Sequence, residues 1–414
     1  MRRKLSCALA ALFLSGPVIA QHAGHETPPP AGPDPMKMME AMEPMDHWMT
    51  MFHGYAFLNF NHQGAPSGGE EFESQNHFML VSMRRLWGGK VSLLGIFTLE
   101  PATVPREGSR ELFQRGETYK GNLLVDRQHP HDLFVQIGAA WERSLSPSVR
   151  VRFSLAPVGE PALGPTAYPH RLSASENPTA PLSHHNHDST HISADVITGA
   201  MTAGPLTVEA SGFHGQEPDE NRWDIDQGKL DSYSGRLTVS APAGFSFQLS
   251  SGFRTHPEEL EPGNQTRSTA SVSWERGDPS NFIAATLVTG LNQTDEGREW
   301  GHLLEWTWKF DGKNFFYGRV EKVDRDLYEL VHKKQRPEDI PRDRISVEAG
   351  TLGFVRNFPI LTNTETGIGA DFTFYRFPAS LDSVYGTHPV SFHGFVRIRF
   401  GSHGAGGHHG GRNM

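Results

Sequence analysis

Val390-Ser391-Phe392-His393-Gly394-Phe395-Val396-Arg397-Ile398-Arg399-Phe400 is a stretch in which apolar and cationic side chains take turns. Successive side chains of an extended strand point to opposite faces, so Phe392, Val396, Ile398 and Phe400 share one face and His393, Arg397 and Arg399 the other. A soluble core would be a costly place for two arginines. A strand standing between lipid and a water-filled lumen leaves them solvated, and Arg397 is then expected to tolerate replacement by alanine. The same division recurs outward along the chain. Phe245, Phe247, Leu249 and Phe253 oppose Ser246, Gln248, Ser250 and Arg254, while Val149, Val151, Phe153 and Leu155 oppose Arg150, Arg152 and Ser154. Leu304, Trp306, Trp308 and Phe310 oppose Glu305, Thr307 and Lys309, and the indoles suit an interfacial girdle.

Sixteen segments of about this length can be read, near 51–62, 76–86, 90–99, 133–143, 149–158, 193–202, 206–214, 231–240, 245–254, 267–276, 281–291, 302–310, 314–323, 345–356, 362–376 and 390–400. Those at 76–86 and 281–291 alternate poorly. Short joins at 87–89, 144–148, 203–205, 241–244, 277–280, 311–313 and 357–361 alternate with long ones at 100–132, 159–192, 215–230, 255–266, 324–344 and 377–389. Short turns at one end and long loops at the other predict an all-β, antiparallel up-and-down transmembrane barrel with periplasmic turns and extracellular loops. An even strand count returns both ends of the barrel to the turn side. The loop 159–192 is too long for a simple connection and is expected to fold inward as a constriction.

Over residues 50–400 this pattern resembles the bacterial outer-membrane β-barrel proteins, including the porins. The resemblance implies a bilayer setting, insertion by the barrel-assembly machinery, and passage of small polar solutes. Val396 to Phe400 looks like the terminal aromatic strand that this machinery recognises, although a Gly/His-rich tail, 401–414, follows it.

The start of the chain agrees with that compartment. Arg2, Arg3 and Lys4 precede an apolar run from Leu5 to Ala20, which predicts a signal peptide over 1–20 and export to the outer membrane. Its removal takes the formal charge from −9 to −12 and makes nucleic acid an unsuitable partner. The one cysteine, Cys7, leaves with it, so disulfides and thiolate metal sites are excluded from the mature chain. Only 37% of residues are hydrophobic, and no later run is long enough for a membrane helix.

Between 21 and 50 lies a Met/His/Pro-rich leader. Met36, Met38, Met39, Met42, Met45, Met49 and Met51, with His47, combine thioether and imidazole groups that suit copper or another transition-metal ion. Methionine as apolar filler in a plug segment is the plainer reading. In composition this leader resembles that of the copper-resistance B class of outer-membrane proteins. That likeness implies copper handling and does not extend into the barrel.

A second cluster comes from two loops: His129, His131 and Asp132 before the strand at 133, and His184, His185, His187, Asp188 and His191 before the strand at 193. These strands are two apart in a meander, about 10 Å, so the two groups can converge at the extracellular mouth. Imidazoles with carboxylates suit Zn²⁺, Cu²⁺ or Ni²⁺. Equally, the histidines can pack loop turns while Asp132 and Asp188 orient their rings. The tail histidines, on glycine-rich chain, cannot preorganise a site.

The lumen itself is expected to place Arg150, Arg152, Arg236, Arg254, Lys309, Arg319, Arg397 and Arg399 opposite Glu142, Glu209, Glu275, Glu305, Glu348 and Asp371. A porin-like channel, linked to metal handling, follows. A non-conducting structural or metal-buffering barrel is an alternative. A lipid hydrolase is another, but no motif ties a nucleophile to a base, so no enzyme is expected.

Overall fold

The computed structural model describes residues 44–260, 263–331 and 343–401. The expected signal peptide, most of the expected leader with Met36, Met38, Met39 and Met42, and the tail beyond 401 lie outside the described residues. Among the described residues the strands are β1 (Met49–Gly64), β2 (Gly69–Leu86), β3 (Gly89–Phe97), β4 (Ser109–Tyr119), β5 (Asn122–Gln128), β6 (Phe134–Ser146), β7 (Val149–Gly159), β8 (Ser193–Ala203) and β9 (Leu206–Phe213). They continue with β10 (Ser232–Ala241), β11 (Phe245–Arg254), β12 (Gln265–Asp278), β13 (Asn281–Thr294), β14 (Gly297–Phe310), β15 (Asn314–Asp326), β16 (Arg344–Phe358), β17 (Thr364–Arg376) and β18 (Val390–Gly401).

Sixteen of them form one closed antiparallel barrel, each paired with its neighbour and β1 closing on β18. Closure leaves no strand edge unpaired. Period-two patterning puts one parity outside: Phe153, Leu249, Leu287, Leu352 and Phe372 are exposed on the outer wall. In water that wall would be a large sticky surface. Against lipid tails it is the stable face.

The remaining pair, β4 and β5, is a hairpin within the 100–132 segment, which the sequence reading takes as loop. Its register is broken twice, so it lacks the clean alternation that marks a strand. Asn61 of β1 donates to the Arg110 carbonyl (2.8 Å), and the Leu112 N–H donates to Gln63 (3.1 Å), tying the hairpin to the inner wall. Above it Leu112 and Phe113 join Leu330, Val347, Leu381 and Tyr385 in an apolar core at the long-loop end.

The segment 160–192 turns inward and crosses the barrel from β7 and β8 to β14, β15 and β18. Arg171 reaches Glu305 (2.6 Å), Arg319 donates to the Thr179 carbonyl (2.8 Å), the Ser183 N–H donates to Glu321 (3.0 Å), and Glu176 pairs with Arg397 and Arg399. This corrects the expectation of solvated lumen arginines. Arg397 is 0% exposed because an acidic loop residue, not water, meets it.

Candidate functional site

The crossing segment carries a single helical turn, His184–His187, pressed against the inner wall. Two glycines make that contact possible. A Cβ at Gly290 would collide with the Asn186 carbonyl oxygen, and one at Gly301 would lie 2.7 Å from the Asn186 side chain. Asp188 ends the turn and organises what surrounds it. Its carboxylate accepts from the Tyr168 N–H (2.9 Å), Arg171 (2.5 Å) and His184 Nδ1 (2.7 Å), and its carbonyl accepts from His191 Nδ1 (2.9 Å). Burial opposes a charge on Asp188, but Arg171 and His184 outweigh it and hold the carboxyl well below the usual range.

The second histidine group arrives from the segment before β6. Glu100 accepts from both the backbone N–H (2.9 Å) and Nδ1 (2.8 Å) of His131. His129 Nε2 lies 3.2 Å from Glu117. The two groups meet inside the barrel, buried, rather than at its mouth. Ring centroids are 5.2 Å apart for His131 and His191, 5.2 Å for His184 and His191, 5.4 Å for His184 and His185, and 5.8 Å for His129 and His185.

The tautomers follow from these bonds. An Nδ1–H given to a carboxylate or carbonyl leaves the lone pair on Nε2, the arrangement that readies an imidazole to bind a cation. Nε2 of His131, His185 and His191 is buried and has no hydrogen-bond partner. Burial holds His185 and His191 well below the ordinary imidazole range, so both are neutral at pH 7. At His131 burial works the same way, but Glu100 reverses the balance and favours the charged ring.

Below this cluster a narrow cavity is lined by His131, His191, Tyr168, Asn177 and His77. A second, lined by His77, His170, Met79 and His53, continues toward the turn end. His77 and His170 are in edge contact at 4.9 Å. On the same inner wall Met49 pairs in register with Met83, and His53 with Met79.

No family model matches the chain, and no curated protein matches it. Solved structures do. The anion-selective porin from Comamonas acidovorans aligns at 12% identity over 86% of this chain and 100% of that one, with a TM-score of 0.51. OprB of Pseudomonas putida aligns at 10% identity over 88% and 96% (TM-score 0.53), and OmpF of Salmonella typhi, in complex with daunomycin, at 8% over 85% and 97% (TM-score 0.52). The fold is that of the bacterial outer-membrane porins. The likeness is one of architecture and brings no metal with it.

Within this porin-type barrel the expected lumen charges do lie on the inward parity, with one exception. Glu348 shares parity with the exposed Leu352 and Phe354, and pairs on the outer face with Lys322 (3.8 Å) and Arg376 (3.4 Å). One-residue parity decides this: Val347 and Ala349 take the inward positions. The others do not face one another across open water. Arg150 pairs with Glu142 (3.7 Å), Arg236 with Glu209 (2.7 Å), Arg254 with Glu217 (2.8 Å) and Lys309 with Glu365 (3.1 Å). Arg319 meets Glu321 (3.0 Å), and Asp371 accepts from His393 (2.8 Å). Arg152 lies opposite Glu142 in register, and Glu275 continues the inward row of Arg267 and Ser271.

Of the metal candidates, Asp132 holds Arg222 (3.1 Å) instead of a histidine, and His187 donates from Nε2 to the Gly301 carbonyl (2.9 Å), away from the other rings. Met45 and His47 are exposed at the turn end, whereas Met49 and Met51 face inward against Met79 and Met83. Glu100, Tyr168, His77 and His170 escaped the sequence reading. Only His77 had a usable signal: it shares parity with Met79, Val81 and Met83.

Proposed function

We propose that this porin-type barrel sits in the outer membrane and carries transition-metal cations, copper foremost, through its loop-filled interior. The observation that supports this is the file of buried imidazoles with unpartnered Nε2 atoms, running from the histidine turn to His77 and the methionines. Leaving a buried polar atom unsatisfied costs about 1–3 kcal/mol, so several side by side favour an occupant that they bind. The ligand types are graded: carboxylates and imidazoles toward the loops suit Cu²⁺ or Zn²⁺, and thioethers at the turn end suit Cu⁺. A cation can pass by exchanging one ring nitrogen for the next. An ordinary hydrated solute would need a wider path than these cavities offer.

The test is titration of the purified barrel with Cu²⁺ under electron paramagnetic resonance. Coordination by several imidazole nitrogens, reduced in a His131→Ala, His191→Ala protein, is the expected result. Spectra unaffected by these substitutions would leave an ordinary porin for small polar solutes. The apolar core over the long-loop end favours a second reading, a barrel that binds metal without conducting it. Copper bound by the imidazoles but not passed across a bilayer would establish that one.

A further inference from the structure

The geometry points to a capture site for a borderline divalent cation, of the Zn²⁺ or Cu²⁺ kind, formed by His185, Glu217 and Glu258 where three long loops meet. A ring nitrogen of His185 and one oxygen from each carboxylate all lie within 4.8 Å of one another. One imidazole with two carboxylates is a donor set for a borderline cation and is too hard to select Cu⁺.

The imidazole and one of the two carboxylates are held in place from behind. Glu217 Oε1 accepts from Arg254 (2.8 Å) and Ser189 (3.2 Å), while its buried Oε2 has no partner. Arg267 donates to the His185 carbonyl (2.6 Å), fixing the turn that presents the ring. His185 is 6% exposed, and its Nε2 is likewise without a partner. Two carboxylates and an open imidazole nitrogen so close together, with Arg254 committed to one oxygen, form a pocket that a cation would complete.

The site also has an approach. A cleft between the β4–β5 hairpin and the segments 214–231 and 255–260 is lined by Glu117, Glu217, Asp219, Glu258 and Glu259. An acidic, low-dielectric cleft concentrates cations at its floor. From there His185 adjoins His129 and His184 at ring distances of 5.8 and 5.4 Å, so a captured ion lies at the head of the imidazole file. This inference rests on the metal-handling reading and adds the place of entry.

The experiment uses the full-length barrel in detergent micelles and reads Zn²⁺ stoichiometry and affinity by calorimetry, with Co²⁺ absorption as a second readout of the donor set. His185→Ala and Glu258→Gln are each compared with the parent, and retention of the heat-modifiable gel mobility of a folded barrel is required of both. The expected result is loss of one tight equivalent, or a rise of at least about tenfold in its Kd, in both variants. Segments 214–231 and 255–260 are also expected to resist protease when Zn²⁺ is present. Parent-like stoichiometry and affinity in both folded variants would overturn the inference. If the parent still passes metal into liposomes in that case, the proposed function survives it. If the parent neither binds nor passes metal, both fall.

Discussion

Arg397 and Val396 are adjacent in sequence and sit in opposite environments. Val396 faces the bilayer side, where arginine costs about 2–4 kcal/mol near the midplane, so Val396→Arg is expected to impair insertion. Arg397→Ala is no longer expected to be harmless. It would leave the buried Glu176 carboxylate with Arg399 alone, and because breaking a buried pair outright costs about 3–5 kcal/mol, a loss below that ceiling is expected. Urea unfolding in micelles should show that loss, and Arg397→Met with Glu176→Leu should recover much of it. Equal stability of Arg397→Ala and the parent would mean that water, not Glu176, satisfies the arginine. The sequence shows which way Arg397 points because parity is local. It does not show what meets the side chain there, because Glu176 is 221 residues away in a segment without periodicity.

At the scale of elements, the strands and the infolding of the loop 159–192 were legible, and the contacts that the plug makes were not. The sixteen segments read from the sequence match the sixteen barrel strands, most of them to within a few residues, since a lipid face and a polar face leave a strong imprint, although β2 begins at Gly69 against an expected 76 and β14 at Gly297 against an expected 302. β2 and β13 read poorly for a reason now visible. Their inward faces carry Met79, Val81 and Met83, and Phe282, Ala284 and Val288, apolar residues packed in buried clusters or against the infolded loop instead of lining water. The histidine groups could be brought together from strand order alone. Their carboxylate supports could not, because Glu100 and Glu117 come from a helical turn and an irregular hairpin that leave no periodic trace. The seating of the turn His184–His187 offers a test. Gly290→Ala should displace it, weakening metal binding several-fold while the barrel keeps its heat-modifiable mobility. Unchanged binding would mean that the turn does not position the ligands.

For the whole molecule, the loops convert a porin architecture into a nearly solid one. The crossing segment staples opposite walls through Arg171, Glu176 and Ser183, and the apolar core around Phe113 and Tyr385 covers the long-loop end. Deleting the Phe113 side chain removes packing worth about 3–5 kcal/mol. Phe113→Ala is therefore expected to loosen that cover and raise the monovalent-ion conductance of planar bilayers above that of the parent, which is expected to be low. A parent that already conducts like an open pore would show that the loops do not occlude it. Among the described residues the acidic cleft, the imidazole cluster and the methionine patch follow one another from the long-loop side toward the turn side of the barrel. The most direct measurement is Cu²⁺ entry into liposomes that hold a trapped copper-sensitive dye, with the reconstituted parent set against its His131→Ala, His191→Ala variant. Entry through the parent well above that through the folded variant is the expected result, and equal rates through both would contradict metal passage along the histidines.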